Sequence, residues 1–292
     1  MKAESRAAWW CLAPAMLHWL LFAAFPIGFS VVLALFDWQI VAGTNRFVGL
    51  DQFRALAEDG PFWSSMMNSL RYAAWSVPLG MAFALAVALL VAKPLRGMPF
   101  FRTLFYTPSV MSGVAISMVW LYIYMPERGL VNTLTGLIGL PEVNFLSDPQ
   151  WAMPALALMG AVVGLGPRMV VYVAALLAVP PSLGEAADLD GANWWQKLRN
   201  VTLPMIAPTS LFVLVTSTIG ALQLFTPIYL MTKGGPMGTT DVVGYHIYTT
   251  AWQRFEVSQA SAQSCVALLL IGLVTLVQFR LSRRAMEGYS PA

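Results

Sequence analysis

Charge is scarce in this 292-residue sequence. Only 11% of the residues are Asp, Glu, Lys or Arg, while 58% are hydrophobic. A soluble domain usually carries about 25% charged residues, so a soluble fold of this length would have a surface nearly devoid of charge. Cysteine is almost missing as well. Cys11 and Cys265 stand alone with no metal-ligand spacing around either, and they read as packing residues rather than a redox pair. Two isolated histidines, His18 and His246, do not make a metal site. No GxxxxGK run is present, so the chain does not hydrolyse nucleotide by itself. No carboxylate pair or nucleophile arrangement marks it as an enzyme. The net charge of +3 is small and is explained below without nucleic acid.

What the sequence has instead is long uncharged runs, over 7–36, 72–92, 103–126, 149–167, 200–232 and 257–279; the fourth continues past Arg168 to 184. A helix crossing the hydrocarbon core needs about 20 largely apolar residues. Six spans fit, at 11–36, 67–92, 101–124, 151–177, 205–230 and 260–281. Lipid leaves no partner for an unpaired backbone group, so helices are the natural spanning element. Runs such as MAFALAVALL and SCVALLLIGLVTLVQF do not alternate, which excludes a transmembrane barrel. The expected fold class is all-α, a polytopic membrane protein forming one domain over 1–292. The first apolar stretch is longer than a signal-peptide core and is read as a retained helix, with Trp9 and Trp10 at headgroup level.

Six spans put both termini on one side. That side holds Lys2, Arg6, Lys93, Arg96, Arg102, Lys197, Arg199, Arg280, Arg283 and Arg284; the other holds Arg46, Arg54, Arg71, Arg128, Lys233 and Arg254. Ten against six, with a short basic AKPLRGMPFFR connection, places both termini in the cytoplasm. The positive charge is therefore topogenic.

The loops carry the functional signal. NRFVGLDQFRALAEDGPFW, after the first span, suggests a short amphipathic helix at the surface. PERGLVNTLTGLIGLPEVNFLSDPQ, after the third, is too polar to span and too apolar for a free linker. It suits packing on the outer helix ends, contact with an external protein, or both. TKGGPMGTT suits a shaped loop. In the cytoplasmic stretch VPPSLGEAADLDGANWWQKLRNVTL, Pro180 and Pro181 end the fourth span. Ser182 and Glu185 have capping-box spacing, Gly191 permits a reversal, and ANWWQKLRN suits a second short helix. Pro204 fits the first turn of the fifth span. The result is two small helices hinged at a glycine, either an interfacial hairpin or a docking element.

EAADLDGANWWQKLRNVTLP resembles the cytoplasmic loop of the membrane subunits of binding-protein-dependent ABC importers. The family pattern is EAA, three residues, Gly, nine residues, then Ile-x-Leu-Pro. Glu185, Ala186, Ala187, Gly191, Val201, Leu203 and Pro204 stand at that spacing. Val201 replaces the usual isoleucine, and Leu198 stands where the sugar-type branch often has phenylalanine. FVGLDQFRAL, FRTLFYTPSVMSGVAISMVW, GLVNTLTGLIG, TKGGPMGTT and the segment SAQSCVALLLIGLVTLVQFRLSRR resemble the six-span permeases of carbohydrate uptake.

The resemblance implies a type I importer permease in a bacterial inner membrane. It implies a second homologous permease subunit, two copies of a nucleotide-binding ATPase that hold the ATP and magnesium, and an extracytoplasmic solute-binding protein touching 37–66, 125–150 and 232–256. This chain would bind no cofactor and no metal. Residues 182–203 would dock on the ATPase through Glu185, Ala186, Ala187 and the Gly191 bend. The implied solute is a sugar or oligosaccharide; glycerol 3-phosphate or a glycerophosphodiester is the alternative. An ion-coupled secondary transporter is the rival class, but no inverted repeat or acidic cluster within the spans supports it.

Arg168 interrupts the fourth span at GLGPRMVVY and, being costly in lipid, should face protein, water or the membrane boundary. Tyr172, four residues on, falls on roughly the same helix face. In the fifth span Gln223 lies one turn from both Gly220 and Pro227 and can donate and accept hydrogen bonds. These three form a candidate solute path, with Arg168 as organiser, Tyr172 as aromatic platform and Gln223 as hydrogen-bonding group. Holding subunits together is the other role open to them. Gly160, Gly164 and Gly166 permit close helix contact, within the subunit or between subunits.

Overall fold

The computed structural model describes residues 2–39, 43–92 and 96–287, with backbone alone for 2–8, 10, 39 and 282–287. Lys93, counted above among the basic residues, lies outside the described residues. Contacts divide the chain into two units, Met1–Trp63 with His246–Leu270 and Ser64–Tyr245 with Ile271–Ala292.

The fold is mostly helical. Among the described residues three helices are long and apolar enough to cross a membrane unaided: Cys11–Leu33, Gly60–Val91 and Val257–Leu281. Three bent pairs bring the number to six if each pair is one span. They are Met98–Val110 with Gly113–Ile123, Ala152–Val163 with Leu165–Ala178, and Trp194–Met205 with Ala207–Leu222, bent by 100°, 48° and 69°. The sequence reading had the first two as single spans over 101–124 and 151–177, and it began the fifth span at 205 with the segment before it in the loop.

Each interruption has a local cause. Met111 and Ser112 are extended, with ψ 148° and 146°, and the Ser112 hydroxyl accepts from the Ala115 amide at 3.2 Å to restart the helix; this is an ordinary N-cap. Gly164 and Ile206 turn with ψ near zero, at 4° and 6°. The helix that follows each carries a proline in its first turn, Pro167 or Pro208, where the missing N–H costs little. The fifth span also ends sooner than its composition suggests. Helix Ala207–Leu222 stops at Gln223, residues 223–225 are not helical, and a π turn follows at Ile228–Thr232.

In the unit 1–63 with 246–270, no residue of Cys11–Leu33 is buried, as expected of a span that meets lipid or a partner. A two-stranded antiparallel hairpin follows, Phe36–Gln39 against Thr44–Phe47, pairing Phe36 with Phe47. It went unseen in the sequence because four-residue strands leave too short a pattern. The Trp38 amide donates to the Ser258 hydroxyl at 2.9 Å. The surface helix after the first span is present as Asp51–Ala57.

In the unit 64–245 with 271–292, the core runs from Ala84, Ala88 and Val91 to Met169, Tyr172, Val173, Ile206 and Val213. Arg102 donates twice to the Val91 carbonyl, at 3.1 and 2.7 Å, placing a cation on a helix C-terminus. The polar loop after the third span folds around Asn132. Its amide donates to Pro126 and Val143 carbonyls at 2.9 Å each, and its oxygen accepts from the Val143 amide at 3.1 Å. The glycine-rich loop is fastened to the second span, where Asn68 donates to the Gly238 and Asp241 carbonyls and the Val243 amide donates to Ser69. Lys233, Gly234, Met237 and Gly238 there all have positive φ, which explains two of its three glycines, Gly234 and Gly238.

Candidate functional site

Three of the interruptions border one cavity of about 550 Å³ inside the second unit. Gly113 lines it just past the Met111–Ser112 break, Gly164 at the second bend, and Gln223 through Pro227 where the fifth span has lost its helix. Tyr72 and Ser76 face it from the second span. A broken helix is tolerated at membrane depth only where it is buried in protein or lines a cavity, and here the breaks line one.

Arg168 sits on the wall of this cavity. Its Nε donates to the Ser217 hydroxyl at 2.9 Å. Its guanidinium lies in a seat made by two absent side chains. A Cβ on Gly80 would come within 2.1 Å of Nη1, and one on Gly164 within 2.9 Å of Cζ. Nη1 is buried with no hydrogen-bond partner among the described residues. Tyr72 has a similar seat, since a Cβ on Gly160 would stand 2.0 Å from its hydroxyl. Gly166 lets two backbones touch; its Cβ would fall 2.7 Å from the Tyr106 Cα and 2.9 Å from the Phe105 carbonyl oxygen. All three glycines singled out in the sequence therefore pack within this subunit.

The structure brings Arg168 and Gln223 to the same cavity and leaves Tyr172 out. Tyr172 is 1% exposed and belongs to the core, so an aromatic platform at that position is corrected. Sharing a face with Arg168 was not enough. At about 1.5 Å per residue, four residues carry the ring from the cavity mouth into the packed interior. The aromatic side chains that line the cavity are Tyr72 and Phe225. Sequence reasoning missed Tyr72, Ser217 and Gly80, because their only signal is a contact across the fold.

The loop between the fourth and fifth spans forms two helices, Pro181–Leu189 and Trp194–Lys197, joined at Gly191 with φ +75°. The first opens without a side-chain cap, Pro181 taking the first turn, so the Ser182–Glu185 capping box is not formed. The box appears on the second helix. There Asn193 accepts from the Gln196 amide at 2.9 Å and Gln196 from the Asn193 amide at 2.7 Å. Its sequence signal was Asn-x-x-Gln. Lys197 bridges to Asp188 at 2.6 Å across the bend. Ala187 and Leu198 are buried, Leu203 and Pro204 half-buried, and Glu185, Ala186 and Gly191 exposed. Leu189, Trp194 and Trp195 present an apolar surface outward, Leu189 being 91% exposed.

Residues 76–287 match the family described as binding-protein-dependent transport system inner membrane component. The chain is similar to the probable ABC transporter permease YesP of Bacillus subtilis, 32% identical over 287 residues that cover 97% of this chain and 92% of that protein. It is similar to the lactose transport system permease LacF of Rhizobium radiobacter, also 32% identical, over 94% of this chain and 93% of the other. Its fold matches a bacterial ABC transporter that imports the acidic polysaccharide alginate, at 26% identity and a TM-score of 0.82, covering 97% and 96% of the two chains.

The chain belongs to the family of membrane permease subunits of binding-protein-dependent ABC importers. It is a multi-pass transport subunit rather than an enzyme, with ATP hydrolysis assigned by the family to a partner subunit.

Proposed function

We propose that this chain, acting as one permease domain with both termini in the cytoplasm, conducts a sugar or short oligosaccharide delivered by an external binding protein. The cavity at the three interruptions is the observation that carries the reading. It holds Gln223, whose exposed amide stands where the fifth span opens, beside Tyr72, Thr216 and backbone freed from helix. Such a wall suits a polyhydroxylated solute, which needs both donors and acceptors. LacF and the alginate importer handle saccharides by their names. A phosphorylated solute such as glycerol 3-phosphate is the second reading, favoured by Arg168 in the lining.

The partners follow the family: a second, homologous permease, a pair of ATPase subunits and the binding protein on the outer loops. The 182–203 loop couples to the ATPase. Glu185 caps no helix of its own, and its carboxylate is exposed beside Leu189, ready for a charge-assisted contact.

Two measurements test this. Gln223→Ala should lower uptake at limiting solute severalfold, as losing one hydrogen bond of about 1 kcal/mol implies, with assembly and basal ATP hydrolysis unchanged. Wild-type uptake kinetics in that variant reject the path. Gly191→Val forces a β-branched residue to positive φ and should abolish co-purification of the ATPase; undiminished association and transport reject the docking assignment.

A further inference from the structure

We propose that the solute carries an oxyanion, a carboxylate or a phosphate ester, and that Arg168 receives it. This rests on the cavity being the solute path. Twenty of the described residues line that cavity; among them Arg168 is the one charged residue, and none is acidic. The described ion pairs, Arg54–Asp51 and Lys197–Asp188, do not involve it. A half-buried cation with no acidic residue among those lining its cavity is costly, and its attraction for an anion is correspondingly large.

The surroundings hold the charge in place rather than neutralise it. Gly80 and Gly164 leave room for the guanidinium, and Ser217 accepts from Nε. Nε is thereby engaged with a neutral hydroxyl, which fixes the plane of the fork without cancelling its charge. Arginine that merely joined helices would be expected to meet a carboxylate or several carbonyl groups. This one meets the Ser217 hydroxyl and two glycines, with the phenols of Tyr72 and Tyr172 nearby and no carboxylate. With Nε on Ser217 and Nη1 buried, Nη2 is the donor left to meet one oxygen of a carboxylate or phosphate, while Gln223 and Thr216 remain for hydroxyl groups.

The test uses membrane vesicles carrying the complete complex with its binding protein. Uptake of radiolabelled lactose, digalacturonate and glycerol 3-phosphate is compared. Wild-type vesicles should take up at least one of the two anionic probes in preference to lactose, and which one identifies carboxylate or phosphate as the source of charge. Arg168→Gln should reduce that uptake at limiting concentration by about tenfold or more, and Arg168→Lys should restore part of it. Vesicles that take up only lactose, or neither anionic probe, overturn the proposal. So does anionic uptake preserved in Arg168→Gln. Should Arg168→Gln fail to assemble, Arg168→Lys decides: a raised half-saturating concentration for the anion supports the proposal and an unchanged one overturns it. Gln223→Ala separates the two readings. If it lowers uptake while Arg168→Gln does not, the charge inference falls and the path stands. If neither variant changes uptake, the path falls with it.

Discussion

Helix Gly60–Val91 and the pair Ala152–Val163 with Leu165–Ala178 draw on the same residue types, yet the first runs unbroken for 32 residues and the second turns by 48°. Both contain proline. Pro78 lies deep in the unbroken helix, and Pro167 lies just beyond the bend. Both also have glycine close by, and the order differs: Gly80 follows Pro78, whereas Gly164 stands one turn before Pro167. Gly164 and Gly166 precede Pro167, so a lost hydrogen bond coincides with two residues of low helix propensity. Pro204 likewise precedes Pro208 by a turn around Ile206, and Pro108 and Gly113 flank Met111–Ser112. A single proline costs a membrane helix one bond, and its neighbours keep the helix going. A second weak residue one turn before the proline accompanies the bends at Gly164 and Ile206.

The comparison can be broken at its strongest point. Gly166→Leu drives a side chain into the backbone of Tyr106 and Phe105, which cannot swing aside. Overpacking of about 1–3 kcal/mol or more should remove most of the folded protein, seen as loss of the monodisperse peak of a fluorescent fusion in detergent. A normal peak would mean the bent pair tolerates filling as a straight helix does. Gly80→Ala should act more mildly. The new methyl meets first the end of a side chain, with the Ala161 Cα next at 3.3 Å, so the fold should survive while the guanidinium leaves Ser217. Uptake should fall severalfold, and shortening Arg168 to lysine in the same chain should recover part of it, the coupling expected of neighbours. Complete independence of the two substitutions would deny the seat. The smallest effect belongs to Pro78→Ala, which restores an N–H within an already helical segment. Yield and thermal stability should stay within about 1 kcal/mol of the parent or rise. A substantial loss would show that Pro78 shapes this helix after all.

The six apolar stretches, the helix–glycine–helix loop and the shaped glycine-rich loop were legible because each is a local pattern. Run length announces a span, and Gly191 between two short amphipathic pieces announces a turn. The interruptions were less legible. Met111 and Gln223 sit in uncharged runs whose composition is indistinguishable from a continuous helix, and what ends the helix is the cap and the neighbour it meets. Arg168 and Gln223 could be picked out as polar residues in apolar surroundings. Tyr72 could not, since its importance comes from Gly160, 88 positions away. Tyr172 was misplaced because face geometry says which way a side chain points but not where along the axis the cavity ends.

The seat of Arg168 also constrains how this protein can change. Positions 80, 164 and 168 form an interlocked trio. Any residue larger than glycine at the first two requires a shorter one at the third, so the order of substitutions matters. A lineage can give up the cation in one step and afterwards fill the vacated space with alanine, each step passable. Regaining arginine then demands that both small positions be emptied beforehand, with nothing to gain until the last change. Loss of the charge is thus easy and its recovery is obstructed, a one-way gate in sequence space set by two missing methyl groups.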